Sequence, residues 1–204
     1  MSFEKAIVEG IARLRHKGIA IDDGLSDVEI SRIEARFQFM FPPDLRFFLQ
    51  MAMPLSPYFV NWRTDPEKLE TWFAPLTEGV LFDVQNNVFW HADWGERPVD
   101  TFTAIQIAKH HLADVPKLIP IGDRVFTKCV PAAPSAAGNP VFSVHQTDIL
   151  HAGRDLGDFL QWFSRPKESF ERDEEEGTEP TPLYCDDYRS ITFWTELVRR
   201  NVMS

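Results

Sequence analysis

The sequence predicts an α+β protein with a central, mainly antiparallel sheet flanked by helices. Three observations carry that expectation. From Phe3 to Leu49, apolar residues recur at helical spacing behind strong start signals. Between Tyr58 and His151, short β-prone runs are joined by brief links. Helical spacing returns after Asp155 and again after Ser190. Helices around a run of strands with short links favour this class over a doubly wound parallel sheet.

Phe3, Ile7, Ile11 and Leu14 line a first helix, which Gly18 ends. Ile19-Ala20-Ile21 is a short apolar link and Asp22-Asp23-Gly24 a turn. The next helix has a complete start signal. Ser26 caps it, Glu29 reaches back as the second half of a capping box, and Leu25 with Ile30 forms a hydrophobic staple. Ile30, Ile33 and Phe37 hold its apolar face. Pro42-Pro43 stops that helix and starts another, since a first-turn proline lacks only an N–H that has no partner there. Leu45, Phe48 and Leu49 are the buried stripe of that second helix.

Met51 to Pro57 holds two prolines and reads as a loop, and Tyr58-Phe59-Val60-Asn61-Trp62 as a strand. Pro66 opens a helix with Leu69, Trp72, Phe73 and Leu76 on one face. Gly79-Val80-Leu81-Phe82-Asp83-Val84 has the length and apolar run of a core strand. Asn86-Asn87 turns the chain, and Val88-Phe89-Trp90 pairs back antiparallel. His91 to Pro98 is a polar loop. Asp100 caps a long helix lined by Ala104, Ile105, Ala108, Leu112 and Val115. Leu118 to Ile121 and Arg124 to Phe126 read as strands, and Pro131 to Gly138 as a small-residue loop. Pro140 to His145 and Asp148 to His151 form a hairpin whose turn lacks the Asn-Gly signal. Asp155 caps a helix burying Leu156, Phe159, Leu160 and Phe163. The acidic run Glu171 to Glu176 reads as a solvated loop, and Ser190 to Asn201 as a closing amphipathic helix.

A length of 204 residues suits one domain with one sizeable core. That domain spans 1–204, with 164–204 as an acidic loop plus a C-terminal helix. Seventeen Phe and six Trp imply that the core is bulky. The formal net charge of −10 argues against nucleic acid or an anionic membrane surface as a direct partner, because neutralising phosphates takes clustered Lys and Arg. It favours solubility, and it would steer a basic partner toward the chain. Cys129 and Cys185 lie far apart without metal-ligand spacing and read as a reduced pair. The start, Met-Ser-Phe-Glu-Lys, has no basic region followed by an apolar run, and no apolar stretch approaches the roughly 18–20 residues of a membrane span. The expected location is cytoplasmic.

The chain carries no Gly-rich phosphate loop, no nucleophile elbow and no His-Glu-x-x-His. His110 and His111 are adjacent, so they point about 100° apart on a helix and cannot share a metal. His145 and His151 flank one turn and read as half-exposed strand residues rather than a metal pair. The densest loop is His91-Ala92-Asp93-Trp94-Gly95-Glu96-Arg97-Pro98. Its His-x-Asp could serve acid–base work, but no nucleophile or third ligand sits nearby in the sequence. Trp90 and Trp94 are expected to anchor the loop on the core, with Arg97 paired to a carboxylate. No catalytic set, metal or cofactor is expected.

Two stretches together resemble the SUKH superfamily, the fold shared by a fungal cell-wall-assembly regulator and many bacterial toxin-immunity proteins. The first is Gly24-Leu25-Ser26 with Glu29-Ile30 and Ile33-Glu34, followed by Phe41-Pro42-Pro43-Asp44-Leu45 and Phe48-Leu49. The second, more specific, runs from Gly79 to Val84 through Phe89-Trp90-His91 and Trp94 to Pro98. It continues into Pro116 to Ile121 and ends on Gly138-Asn139-Pro140 through Ile149. The resemblance covers residues 20–163. It implies a SUKH-like α+β domain without catalytic residues, acting as a protein-binding module, in many bacterial members by neutralising a toxin.

The leading expectation is therefore a non-enzymatic protein-binding module, an immunity protein whose partner is a basic toxin. A regulatory or scaffold domain without a toxin is the alternative, and a hydrolase built on His91, Asp93 and Glu96 the third. The chemistry of the residues, rather than the resemblance, suggests the contact surfaces. Trp90, His91, Asp93, Trp94, Glu96 and Arg97 mix aromatic and charged groups as interface hot spots do. Glu174 and Glu175 could steer a basic partner. Binding is expected away from the opening helical pair.

Overall fold

A computed structural model of the chain describes residues 2–64, 66–128, 136–165 and 189–203. Helix α1 (Phe3–His16) buries Ile7, Gly10, Ile11 and Leu14, as its spacing predicts. Helix α2 (Asp27–Phe37) starts on the expected capping box. The Ser26 N–H donates to Glu29 Oε2 at 2.8 Å, and the Glu29 N–H donates to Ser26 Oγ at 3.3 Å. Leu25 and Ile30, the staple pair, are both buried. Helix α3 (Pro43–Met51) follows Pro42 and buries Leu45, Phe48 and Leu49.

Arg63 locks the start of α2 from outside. Its Nε donates to Glu29 Oε1 at 2.7 Å, Nη1 to the Asp23 carbonyl at 2.8 Å, and Nη2 to the Gly24 carbonyl at 2.9 Å. The Arg63 hydrogen bond, helped by the Ser26 N–H, lowers the Glu29 pKa from 4.5 to about 2. A carboxylate depressed in the folded state stabilises it above the unfolded pKa and loses that effect as pH falls through the folded value. The stability advantage of the native chain over Glu29→Gln is therefore expected to be full above about pH 4.5 and gone near pH 2, read as urea midpoints against pH. Asp44 has the opposite sign. Burial pushes its carboxyl up, against the N–H bonds from Gly138 and Leu45, so its contribution fades as pH rises.

The link and loop around α2 and α3 contain a small sheet that the sequence does not reveal. β1 (Ala20–Asp22) pairs antiparallel with β2 (Met53–Leu55), with Ile21 opposite Pro54. Three-residue strands are too short to display a period, and Pro54 argues against one. The expected strand at Tyr58–Trp62 is absent. One bond, from the Val60 N–H to the Ile121 carbonyl at 3.0 Å, touches the main sheet. Asn61 then turns the chain, its side chain accepting from the Arg63 N–H and its carbonyl from the Thr64 N–H. The apolar residues of this segment, Phe59, Val60 and Trp62, are buried all the same.

The largest correction concerns Gly79 to Val84, expected to be a core strand. Helix α4 (Pro66–Gln85) runs through it without a break. Leu69, Leu76, Val80, Asp83 and Val84 face inward at helical spacing, whereas Phe82 is 52% exposed. Val88 to Trp90 forms no strand either. The Val88 and Phe89 N–H groups both donate to the Asp83 carbonyl, closing the end of α4, and Asn87 takes φ 60°.

Helix α5 (Thr101–Ala113) begins on Asp100, whose Oδ2 accepts from the Thr103 N–H at 2.7 Å. The main sheet is a four-stranded antiparallel meander in sequence order: β3 (Leu118–Gly122), β4 (Val125–Lys128), β5 (Val141–His145) and β6 (Asp148–Gly153). Helix α6 (Leu156–Phe163) starts on Asp155 and packs on α1, while α7 (Trp194–Met203) lies along β6. The α+β class with an antiparallel sheet is thus the observed architecture.

Two packed regions share the core. One gathers α1, α2, α3 and α6, with Phe39, Phe41 and Trp62 edge to face at 4.9–6.2 Å. The other joins α4, α5 and α7 to the sheet through Val80, Phe126, Phe142 and Leu197. Burying each such side chain is worth about 1.5–3 kcal/mol. Among the described residues, no helix is long and apolar enough to cross a membrane. Cys129, Cys185 and the acidic run Glu171 to Glu176 lie outside the described residues.

Candidate functional site

The loop between α4 and α5 is organised by a single 3-10 turn, Ala92–Trp94. His91 precedes it, and its Nδ1 accepts from the Asp93 N–H at 3.3 Å while its carbonyl accepts from the Trp94 N–H at 3.1 Å. Gly95, at φ 79°, closes the turn, and Trp90 Nε1 donates to its carbonyl at 2.7 Å. Trp94 is buried. It meets Phe89 and Trp90 edge to face and stacks against His111 of α5 at 5.7 Å and Phe193 at 6.2 Å. The two tryptophans do anchor the loop. That use takes Trp94 off the surface, so it cannot be a partner contact; Trp90, His91 and Arg97 are half-buried, and only Asp93 and Glu96 are exposed.

Arg97 does not pair with a carboxylate as expected. Nη2 donates to the Val84 carbonyl at 3.0 Å and Nη1 to the Pro98 carbonyl at 3.1 Å, with the guanidinium 5.9 Å from the Trp90 ring centre. Val84 lies in the last turn of α4, where carbonyls lack helical partners and a cation is favoured. Arg97 thus ties the end of α4 to the start of α5.

The residue that sequence reasoning missed is Glu196. It sits in the first turn of α7, and its Oε1 accepts from the Phe193 N–H at 3.4 Å. Its Oε2 lies 3.1 Å from His91 Nε2. His91, Asp93 and Glu196 each present a donor atom, and these atoms all lie within 4.8 Å of one another. Glu196 therefore supplies the third group that the loop lacks in sequence, and Glu96 does not. The only advance signal is an acid in the first turn of a predicted helix, which ordinarily means favourable capping.

The other histidines stay apart. His145 lies opposite Asp148 and contacts Arg124 at 2.8 Å, whereas His151 lies opposite Phe142 and is buried against its ring. The hairpin does not bring them together. Glu174 and Glu175 fall outside the described residues.

Four exposed large apolar side chains flank this loop in the chain. Phe82 in the last turns of α4, Val88 just after it, and Val99 and Phe102 at the start of α5 all face solvent. The Arg97 bonds described above hold these two stretches together. Comparison with family models, with curated proteins and with solved structures finds no match for this chain.

Proposed function

We propose that the chain is a non-enzymatic protein-binding module, and that it acts as an immunity protein whose partner is a basic toxin. The observation that carries the binding role is the solvent-facing apolar group at the α4–α5 junction. Val99 is fully exposed and Phe102 69% exposed, which costs water contact without contributing to the core. The surroundings are mainly acidic. From Glu78 to Gln106 the only Lys or Arg is Arg97, which is engaged, against Glu78, Asp93, Glu96 and Asp100 on the surface, and the cation bordering them from α7 is Arg200, bonded to the Val88 carbonyl. An apolar centre with a charged rim is the anatomy of a protein interface. The choice of a basic toxin is supported by the sequence resemblance and by the net charge of −10, which speeds association with an oppositely charged protein.

The test is co-expression with the product of the neighbouring gene, followed by purification and titration. The expected result is a stable complex that suppresses that product's toxicity, with association slowed by salt. Phe102→Glu is expected to weaken it by about 2 kcal/mol, roughly thirtyfold in Kd. The same change leaves folding intact, because an acid in the first turn of α5 suits the helix dipole. Failure to form a complex overturns the proposal. A complex with a non-toxic partner replaces immunity with the regulatory or scaffold role.

A further inference from the structure

We propose that His91, Asp93 and Glu196 form a binding site for a divalent cation of the zinc class. Three donors of two chemical types converge there, within 4.8 Å, from segments 105 residues apart in the chain. His91 and Glu196 are each held by contacts of their own, and Asp93 is placed by its backbone. The 3-10 turn fixes His91 relative to Asp93. Glu196 is oriented by its Oε1 accepting from the Phe193 N–H, which leaves Oε2 directed at the imidazole.

The His91 ring has little freedom. Trp94 and Phe193 lie at 5.7 and 5.5 Å, with Phe89 at 6.4 Å, so one side of the site is an aromatic wall. Asp93 and Glu196 are exposed on the other side, which lets a hydrated ion enter and keep water at its remaining positions. Arg200, one turn beyond Glu196, is turned to the Phe89 ring and the Val88 carbonyl.

The donor set selects the ion. One imidazole and two carboxylates suit Zn²⁺, with three protein ligands and an open position. Mg²⁺ gains nothing from an imidazole and prefers oxygen and its own waters. The hydrogen bonds add a specific consequence. With Nδ1 accepting from the Asp93 N–H, the neutral ring carries its proton on Nε2 and donates it to Glu196. Coordination at Nε2 requires the other tautomer. The proton then sits on Nδ1, and the 3.3 Å bond from the Asp93 N–H is given up.

The full chain is titrated with Zn²⁺ near neutral pH in competition with a chromophoric chelator, and its ¹⁵N-labelled imidazoles are followed by NMR. The expected result is one equivalent bound, not displaced by equimolar Mg²⁺, with the His91 pattern switching from Nε2–H to Nδ1–H and the Asp93 amide shifting. Asp93→Asn and Glu196→Gln, both at exposed positions, should each weaken binding about tenfold or more. A Glu174→Gln, Glu175→Gln chain serves as control for adventitious binding. The proposal is overturned if His91 does not switch tautomer, if the two site variants bind as the native chain does, or if only the control variant loses zinc.

Discussion

Gly24→Ala is expected to cost about 3 kcal/mol or more, making it one of the most damaging single-methyl additions in the chain. A Cβ at Gly24 would stand 1.8 Å from the Gln50 carbonyl oxygen and 2.2 Å from its carbon. Those are backbone atoms in the last turn of α3, so no side-chain rotation relieves the clash. The neighbouring Leu25 N–H donates to the Leu49 carbonyl at 2.7 Å, and Arg63 grips the Gly24 carbonyl. The link between β1 and α2 is thus pressed onto α3 and bonded on both sides. Separating them breaks these bonds and opens the core under Leu25 and Leu49, beyond the usual 1–3 kcal/mol of overpacking. For a chain of this size each kcal/mol lowers Tm by about 2–4 °C, so a fall of roughly 6–12 °C is expected in thermal melts. An unchanged Tm would show that the link stands off from α3.

Gly24 also shows which parts of the fold were legible in the sequence. The turn was readable, as were the capping box on Ser26, the proline-led start of α3 and the Asp100 and Asp155 caps, because each signal is local. The close approach to Gln50 was not, since nothing within a few residues of Gly24 encodes it. Gly79 to Val84 failed for a different reason. Four of its six residues are apolar, and a short apolar run cannot separate a buried strand from a buried helix turn. The deciding facts were an acid that faces inward, Asp83, and a phenylalanine that faces outward, Phe82. Both invert what hydrophobicity predicts.

The candidate site divides in the same way. His91 and Asp93 stand out in the sequence because they are two residues apart in a loop rich in tryptophan. Glu196 comes from a helix at the other end of the chain, brought there by Phe193 and Trp194 packing around Trp94 and Phe89. The surface aromatics were misplaced as well. Trp94 is expected both to anchor its polar loop and to offer a contact, and its burial leaves only the first of these roles. Phe82, inside the run read as a core strand, is left in water, as is Phe102, which lies off the expected apolar face of α5.

Asp83 provides the second large effect. Its Oδ2 accepts from the Thr147 N–H at 3.0 Å and from the Thr147 hydroxyl at 2.6 Å, both buried. Thr147 belongs to the β5–β6 turn, where Gln146 takes φ 56° without the Asn or Gly that such turns favour. The backbones come close here, since a Cβ at Gly79 would lie 2.8 Å from Gln146 Cα. The turn therefore draws its definition from α4 rather than from its own residues. Asp83→Ala leaves two buried donors without an acceptor, at about 1–3 kcal/mol each, partly offset because a buried carboxylate no longer has to be desolvated. The net loss expected is about 2–3 kcal/mol, with Tm lower by roughly 5–10 °C. Asp83→Asn keeps a carbonyl oxygen in place and is expected to lose about 1 kcal/mol or less. In hydrogen exchange the Thr147 amide should lose protection in Asp83→Ala and retain it in Asp83→Asn. Equal losses in the two variants would mean that the aspartate acts through its charge, and that the hairpin turn is held by something other than this pair of bonds.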